Sequence, residues 1–252
     1  MASGILCLSS RLALAINLDK DYMPQSHLKV EQFTNNKFLR ACSKIISIVC
    51  HPVFMPVVMA YVLFLINRTS FGGVAPAKMY EWLGILALNT IFFPLVTVFL
   101  LKRLNFIESI YLHTSKDRII PLIATMTFYF WAYMVFKNFK PPTVSPLILK
   151  IFLLGNFWGI ICVFMVNIFK KVSMHTAGAG SMIGILIVMM ITSRVDIFGA
   201  LMISLLIAGL IGTSRLVLRA HTRGEIGLGY ILGIVSQLGA YLYLTRLINI
   251  FD

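Results

Sequence analysis

The sequence predicts an all-α polytopic membrane protein with six or seven transmembrane helices, and three observations carry that prediction. Of the 252 residues, 59% are hydrophobic and only 12% charged, where a soluble domain of this size would be about one quarter charged. The mean hydropathy is +0.88. Uncharged runs, with histidine counted as neutral, occupy residues 45–67, 82–101, 119–136, 151–169, 172–193, 197–214 and 226–245. At about 1.5 Å per residue most of these cross a hydrocarbon core of roughly 30 Å. Helices are the expected form, because backbone polar groups in lipid must be satisfied within the segment and the runs lack the alternation of a barrel strand.

Residues 1–36 read as an N-terminal lead-in, disordered or lying at the membrane surface. They are mildly apolar, with neither a basic n-region nor a small-residue cleavage site, so no cleaved signal peptide is expected. Residues 37–252 form a single transmembrane domain. Lys37, Arg40 and Lys44 make a basic collar before the first span, 45–67, which contains His51, Pro52 and Pro56. Prolines there kink a helix that neighbouring helices can repair, and His51 is either an interfacial residue or a group facing the bundle interior. A loop with Gly72, Gly73 and Pro76 leads to the second span, whose first residue, Trp82, stands where an aromatic belt residue is expected.

The connector LKRLNFIESIYLHTSKDR, residues 101–118, places Leu104, Ile107, Ile110 and Tyr111 at helical spacing, which suggests an amphipathic helix along the interface. The third span follows with Pro121 in its first turn. Pro141, Pro142 and Pro146 stiffen the turn to the fourth, which ends at Lys170 and Lys171. Spans five and six flank TSRVD as a tight hairpin, and span seven begins within HTRGEIGLGYILG. Small residues at Ala177, Gly178, Ala179, Gly180 and Gly184, at Ala208, Gly209 and Gly212, and at Gly227, Gly229 and Gly233 permit close helix contact.

The formal net charge of +13 would suggest nucleic acid in a soluble protein. Here the cations are scattered between spans, so nucleic acid is not an expected partner; a basic rim instead favours anionic molecules held at the bilayer surface. The four cysteines, Cys7, Cys42, Cys50 and Cys162, have no metal or disulfide spacing.

Two polar clusters stand out, KKVSMHT and SRLVLRAHTRGE. The first holds Ser173 and His175; the second holds Ser214, Arg215, His221 and Glu225. Counting spans puts 101–118, 170–175 and 214–225 after spans two, four and six, hence on one membrane face. A composite site of Arg118, Ser173, His175, Arg215, His221 and Glu225 is therefore geometrically possible. Guanidinium groups match phosphate oxygens bidentately, and the start of span five offers free helix N-terminal amides. On a helix His221 and Glu225, four apart, share a face. A carboxylate on one ring nitrogen would orient the histidine and strengthen the other as a nucleophile. Plainer readings stay open: His175 as a structural interface residue, and Glu225 as an ion-pair partner of Arg219 or Arg223. A metal ion is not expected, since cationic side chains dominate the cluster.

These residues resemble the type 2 phosphatidic acid phosphatase superfamily. SRLVLRAHTRGE looks like its third motif, a serine-arginine pair, five residues, histidine, three residues and aspartate, with Glu225 in the aspartate position. KVSMHT resembles the second motif, proline-serine-glycine-histidine, with Val172 and Met174 replacing proline and glycine. The first motif, lysine, six residues, arginine-proline, survives as Arg118 with Pro121 displaced; Tyr111 takes the lysine position and Lys116 is a substitute from another turn. The resemblance spans roughly 118–233 and implies a bundle of that family's type. It also implies metal-independent hydrolysis of a lipid phosphomonoester or diphosphate, with no cofactor. His221 would form a phosphohistidine, oriented by Glu225; His175 would serve as acid and then base; and Arg118, Arg215, Ser173, Ser214 and Lys116 would hold the phosphoryl oxygens. The implied partner is a membrane lipid phosphate entering from the bilayer: a polyprenyl diphosphate, phosphatidate, phosphatidylglycerol phosphate or phosphorylated glycolipid such as lipid A. The expected location is a bacterial inner membrane. Lys37, Arg40, Lys44, Lys102, Arg103 and Lys170 on the site face favour the cytoplasmic side, although Arg68, Lys78, Lys137, Lys140, Lys150, Arg194 and Arg246 make the bias modest. Two rival readings are a weakened family member that only binds lipid headgroups, and a transporter component with an anion site.

Overall fold

The computed structural model describes residues 36–72, 74–107, 119–139 and 145–251. Among the described residues the regular elements are helical: α1 (Lys37–Val49), α2 (Met55–Ile66), a 3-10 turn (Arg68–Phe71), α3 (Pro76–Ala87), a π-helical segment (Leu88–Phe92), α4 (Phe93–Arg103), α5 (Ile119–Lys137), α6 (Leu147–Phe169), α7 (Met174–Thr192), α8 (Phe198–Val217) and α9 (Arg223–Phe251). α3, the π segment and α4 run on as one rod. Six stretches are thus long and apolar enough to cross a bilayer: Pro76–Arg103, Ile119–Lys137, Leu147–Phe169, Met174–Thr192, Phe198–Val217 and Arg223–Arg246. The chain is an all-α polytopic integral membrane protein.

The single, proline-kinked span expected over 45–67 is instead two helices with an elbow between them. Pro52 has no N–H and pushes His51 away from helical backbone angles. Pro56 falls in the first turn of α2, where a missing N–H leaves nothing unsatisfied. At the end of α1 the Cys50 amide still reaches Ile46 O at 2.8 Å, but the His51 amide turns back to Ile48 O at 3.3 Å. The carbonyl of Ser47, which would have received it in a continuing helix, is left outside the ladder. α2 has 12 residues, about 18 Å of helix, too short for a span of its own.

Two further expectations change. Trp82 is not a belt residue; the rod starts at Pro76, and the indole is buried (1% exposed) against Phe136 and Phe139. The amphipathic helix expected from residue 104 does not begin there: α4 ends at Arg103 and the chain turns through Asn105, whose φ is 60°. Residues 108–118 lie outside the described residues, as do 1–35. The hairpin at TSRVD appears as predicted, between Thr192 and Phe198.

α7 is the centre of the bundle. In its most apolar window 61% of residues are buried, against 22% for the peripheral rod 76–103. It packs on α9, α8 and α6. The α7–α9 contact is backbone to backbone: a Cβ on Gly233 would lie 2.8 Å from Gly180 C, and one on Gly229 2.8 Å from Ser173 O, distances real side chains do not tolerate. Gly227, grouped with them in the sequence, faces open space. Halfway along, Ser181 donates to Asn156 Oδ1 (2.7 Å) and Gln237 Nε2 donates to Ser181 Oγ (2.5 Å) and Phe152 O (3.3 Å). These bonds stitch α6, α7 and α9 where lipid offers none.

Candidate functional site

The polar clusters meet at one end of the bundle, where α7 and α9 begin and α8 ends. Ser173 caps α7, its hydroxyl accepting from the Thr176 amide at 3.4 Å, a usual N-cap role. α8 finishes in a Schellman turn. The Arg219 amide bonds Leu216 O (2.9 Å), the Ala220 amide bonds Arg215 O (3.0 Å), and Arg219 sits at φ 51°, the left-handed position such turns require. That turn aims His221 back over the bundle. α9 then opens on Thr222, whose hydroxyl accepts from the Glu225 amide at 3.4 Å. His221 therefore precedes the helix rather than sharing its face with Glu225.

The pairing predicted for these two residues is nonetheless made. His221 Nδ1 donates to Glu225 Oε2 at 2.7 Å, with the side chains 3% and 15% exposed. The longer carboxylate arm starts from the third residue after the Thr222 cap, where a capping-box glutamate would reach back to the cap; here it reaches one residue further, to the ring. Nε2 of His221 has no partner among the described residues. Burial pushes His221 down to about 4; the bond to Glu225 opposes this, the cations Arg215 and Lys171 add to it, and the Glu225 charge opposes it. The ring is thus neutral at physiological pH, with Nδ1 protonated and Nε2 an available lone pair.

His175, the second residue of α7, donates from Nε2 to the Ser47 carbonyl at 3.0 Å, with Ser47 Oγ at 3.5 Å. The same hydroxyl accepts from an Nη of Arg215 at 2.6 Å. The His51 ring meets His175 edge-on, centroids 5.1 Å apart, while His51 Nδ1 accepts from the Val53 amide at 3.3 Å. Burial, then the Arg215 charge, lowers the His51 pKa. His175 and His221 lie within electrostatic reach of each other. Lys171 donates to Ala220 O at 3.1 Å, tying the segment before α7 to the turn that carries His221.

Of the residues predicted for the site, His175, Arg215, His221 and Glu225 are thus gathered. Ser173 and Ser214 are at the same end but are used differently. Both are buried (0% and 2% exposed). Ser173 caps α7, and Ser214 Oγ donates to Ile211 O at 2.7 Å, so each hydroxyl is engaged with its own helix. Arg118 and Lys116 lie outside the described residues. Three members were not predicted: Ser47, His51 and Lys171. The His51-Pro52 pair was a legible break signal and Lys171 adjoins the cluster in sequence, but nothing in the chain marks Ser47.

Chemically the arrangement combines a half-buried cationic wall, Arg215 and Lys171, with a carboxylate-oriented imidazole and a second imidazole held in a fixed tautomer. Among the described residues no three His, Cys, Asp or Glu side chains are grouped to hold a metal ion. Such a wall offers positive charge to an anion, and the oriented ring offers a nitrogen lone pair beside it. What fold and site define together is a helical integral membrane protein with a histidine-rich, cationic end. No protein-family model matches the chain, and neither a curated protein nor a solved structure does.

Proposed function

We propose that this protein is a metal-independent lipid phosphatase, a divergent member of the type 2 phosphatidic acid phosphatase superfamily acting on a lipid phosphomonoester or diphosphate. The observation that carries the reading is the His221–Glu225 pair beside Arg215, with His175 at the same end of the bundle. A neutral imidazole fixed through Nδ1 by a carboxylate is the form a nitrogen nucleophile requires.

In this reading Nε2 of His221 attacks phosphorus, a P–N bond forms, and the P–O bond to the lipid breaks. The departing oxygen takes a proton from His175. Nε2–H of that ring stays on the Ser47 carbonyl, so the transferred proton comes from Nδ1, which takes it up when the anionic substrate binds. Water then attacks the phosphohistidine while the neutral His175 takes its proton; the P–N bond breaks and phosphate leaves. Arg215 and Lys171, with Arg118 and Lys116, hold the phosphoryl oxygens and stabilise charge developing on them. Glu225 stabilises the cationic ring of the intermediate. The substrate's tail stays in the bilayer and its headgroup enters at the end of the spans; the proposed location is a bacterial inner membrane.

The test is release of inorganic phosphate from a panel of lipid phosphates by purified protein in EDTA. Activity that persists in EDTA, disappears in His221→Ala and leaves an acid-labile, alkali-stable phosphoenzyme in wild type is expected. Full activity in His221→Ala would sink the covalent route. Binding of lipid phosphates without turnover would leave a headgroup-binding protein.

A further inference from the structure

We propose that Ser47, at the C-terminal end of α1, is a positioning residue that clamps Arg215 and His175 into a single site. The inference rests on the phosphatase reading for its consequence, but its geometry is independent of it. One residue contributes two different groups. Its hydroxyl accepts from the Arg215 guanidinium at 2.6 Å and its carbonyl accepts from His175 Nε2 at 3.0 Å. Arg215 comes from the last turn of α8 and His175 from the first turn of α7, so Ser47 joins two helices that carry separate sequence motifs.

The elbow is what makes the second contact possible. In a continuous helix the Ser47 carbonyl would accept from the His51 amide; the break before Pro52 diverts that amide to Ile48 O, and the carbonyl turns to His175 instead. α1 presents the necessary face. Ser43 and Ser47 are its buried residues, whereas Phe38, Ile45, Ile48 and Val49 are 61–73% exposed. The helix thus turns serines to the protein and its apolar side outward, the opposite of a helix packed by its greasy face. The His51 ring, edge-on to His175, closes the same wall. Fixing a guanidinium and a ring within a fraction of an ångström is what separates a pre-organised site from a loose one.

Because Ser47→Ala removes the hydroxyl and keeps the carbonyl, a double-mutant cycle of Ser47→Ala and Arg215→Ala isolates the clamp. It is read twice in purified protein: as kcat/KM for a lipid phosphate that wild type hydrolyses, and as calorimetric affinity for inorganic phosphate. Ser47→Ala is expected to lose about tenfold in both, with an unchanged thermal midpoint; Ser47→Thr restores most of it; and the double variant is no worse than Arg215→Ala alone. Additive losses, or a Ser47→Ala within twofold of wild type, overturn the clamp. Hydrolysis absent but phosphate binding coupled would sink the phosphatase reading and keep the clamp, whereas absence of phosphate binding in wild type overturns both. The other contact is read by 15N NMR of the His175 ring: the Nε2–H tautomer is expected, and an Nδ1–H tautomer excludes it.

Discussion

Replacing Glu225 tests whether its carboxylate works through His221. In Glu225→Gln the side chain keeps its length and one oxygen can still accept from Nδ1, so the tautomer survives and only the charge is lost. The bond is 2.7 Å long and its partners are 3% and 15% exposed, so solvent replaces little of what is removed. A hydrogen bond to a charged group contributes about 1.5–3 kcal/mol and a neutral one about 0.5–1.5 kcal/mol, so losing the charge alone costs about 1–1.5 kcal/mol, roughly a 5- to 12-fold loss in kcat/KM. Glu225→Asp is the sharper variant, since it installs the residue of the resembled family. Shortening the arm by one carbon–carbon bond, about 1.5 Å, withdraws the carboxylate to roughly 4 Å from Nδ1, beyond hydrogen-bond reach. It is therefore expected to lose at least as much as Glu225→Gln. Phosphate release from a lipid phosphate, at matched folded protein, measures both. Glu225→Asp at or above wild-type activity, or Glu225→Gln within threefold of it, would refute the pairing as a catalytic device.

Three other outcomes follow from the geometry. His221 titrates near 4 in the folded chain and near 6.5 when exposed, so between those values the unfolded state holds more protons and stability falls as pH drops through the window. Thermal midpoints at pH 7 and pH 5 should fall further for wild type than for His221→Asn; equal falls would contradict the buried neutral ring. Gly229→Ala puts a Cβ 2.8 Å from Ser173 O, which should cost about 1–3 kcal/mol by overpacking. Gly227→Ala meets nothing and gains up to about 1 kcal/mol of helix propensity, so thermal midpoints of the two variants should move in opposite directions. Gln237→Leu removes the donor to Ser181 and Phe152 O and should lower the midpoint by the equivalent of about 1 kcal/mol, with activity per folded molecule retained.

The spans were legible because charge-free length is almost all a membrane helix needs, and the boundaries 119–137, 147–169 and 174–192 fall close to the apolar runs. The exception is 45–67. There hydropathy is blind to a backbone interruption, and Pro52 broke the helix instead of kinking it because α1 had another place to lie. For the site, residue spacing was enough to place His175, Arg215, His221 and Glu225 at one end of the bundle. It did not show the local use of the serines: a serine before a helix is as good a cap as an anion ligand, and only the structure shows that Ser173 caps and that Ser214 bonds within its own helix. Ser47 was beyond reach of the sequence, since its role depends on which way α1 is rotated.

The backbone-to-backbone seam between α7 and α9 has a consequence for how the end carrying the histidines can move. The helix starts bearing His175 and Glu225 are bolted together through Gly180, Gly229 and Gly233, so neither can shift without the other. The peripheral rod 76–103 is under no such constraint: it is barely enclosed and interrupted by a π-helical segment before Pro94. Under the proposed function, selectivity for the lipid and reactivity toward its phosphate would occupy separate halves of the bundle, and mutations that retune the first should leave the second intact.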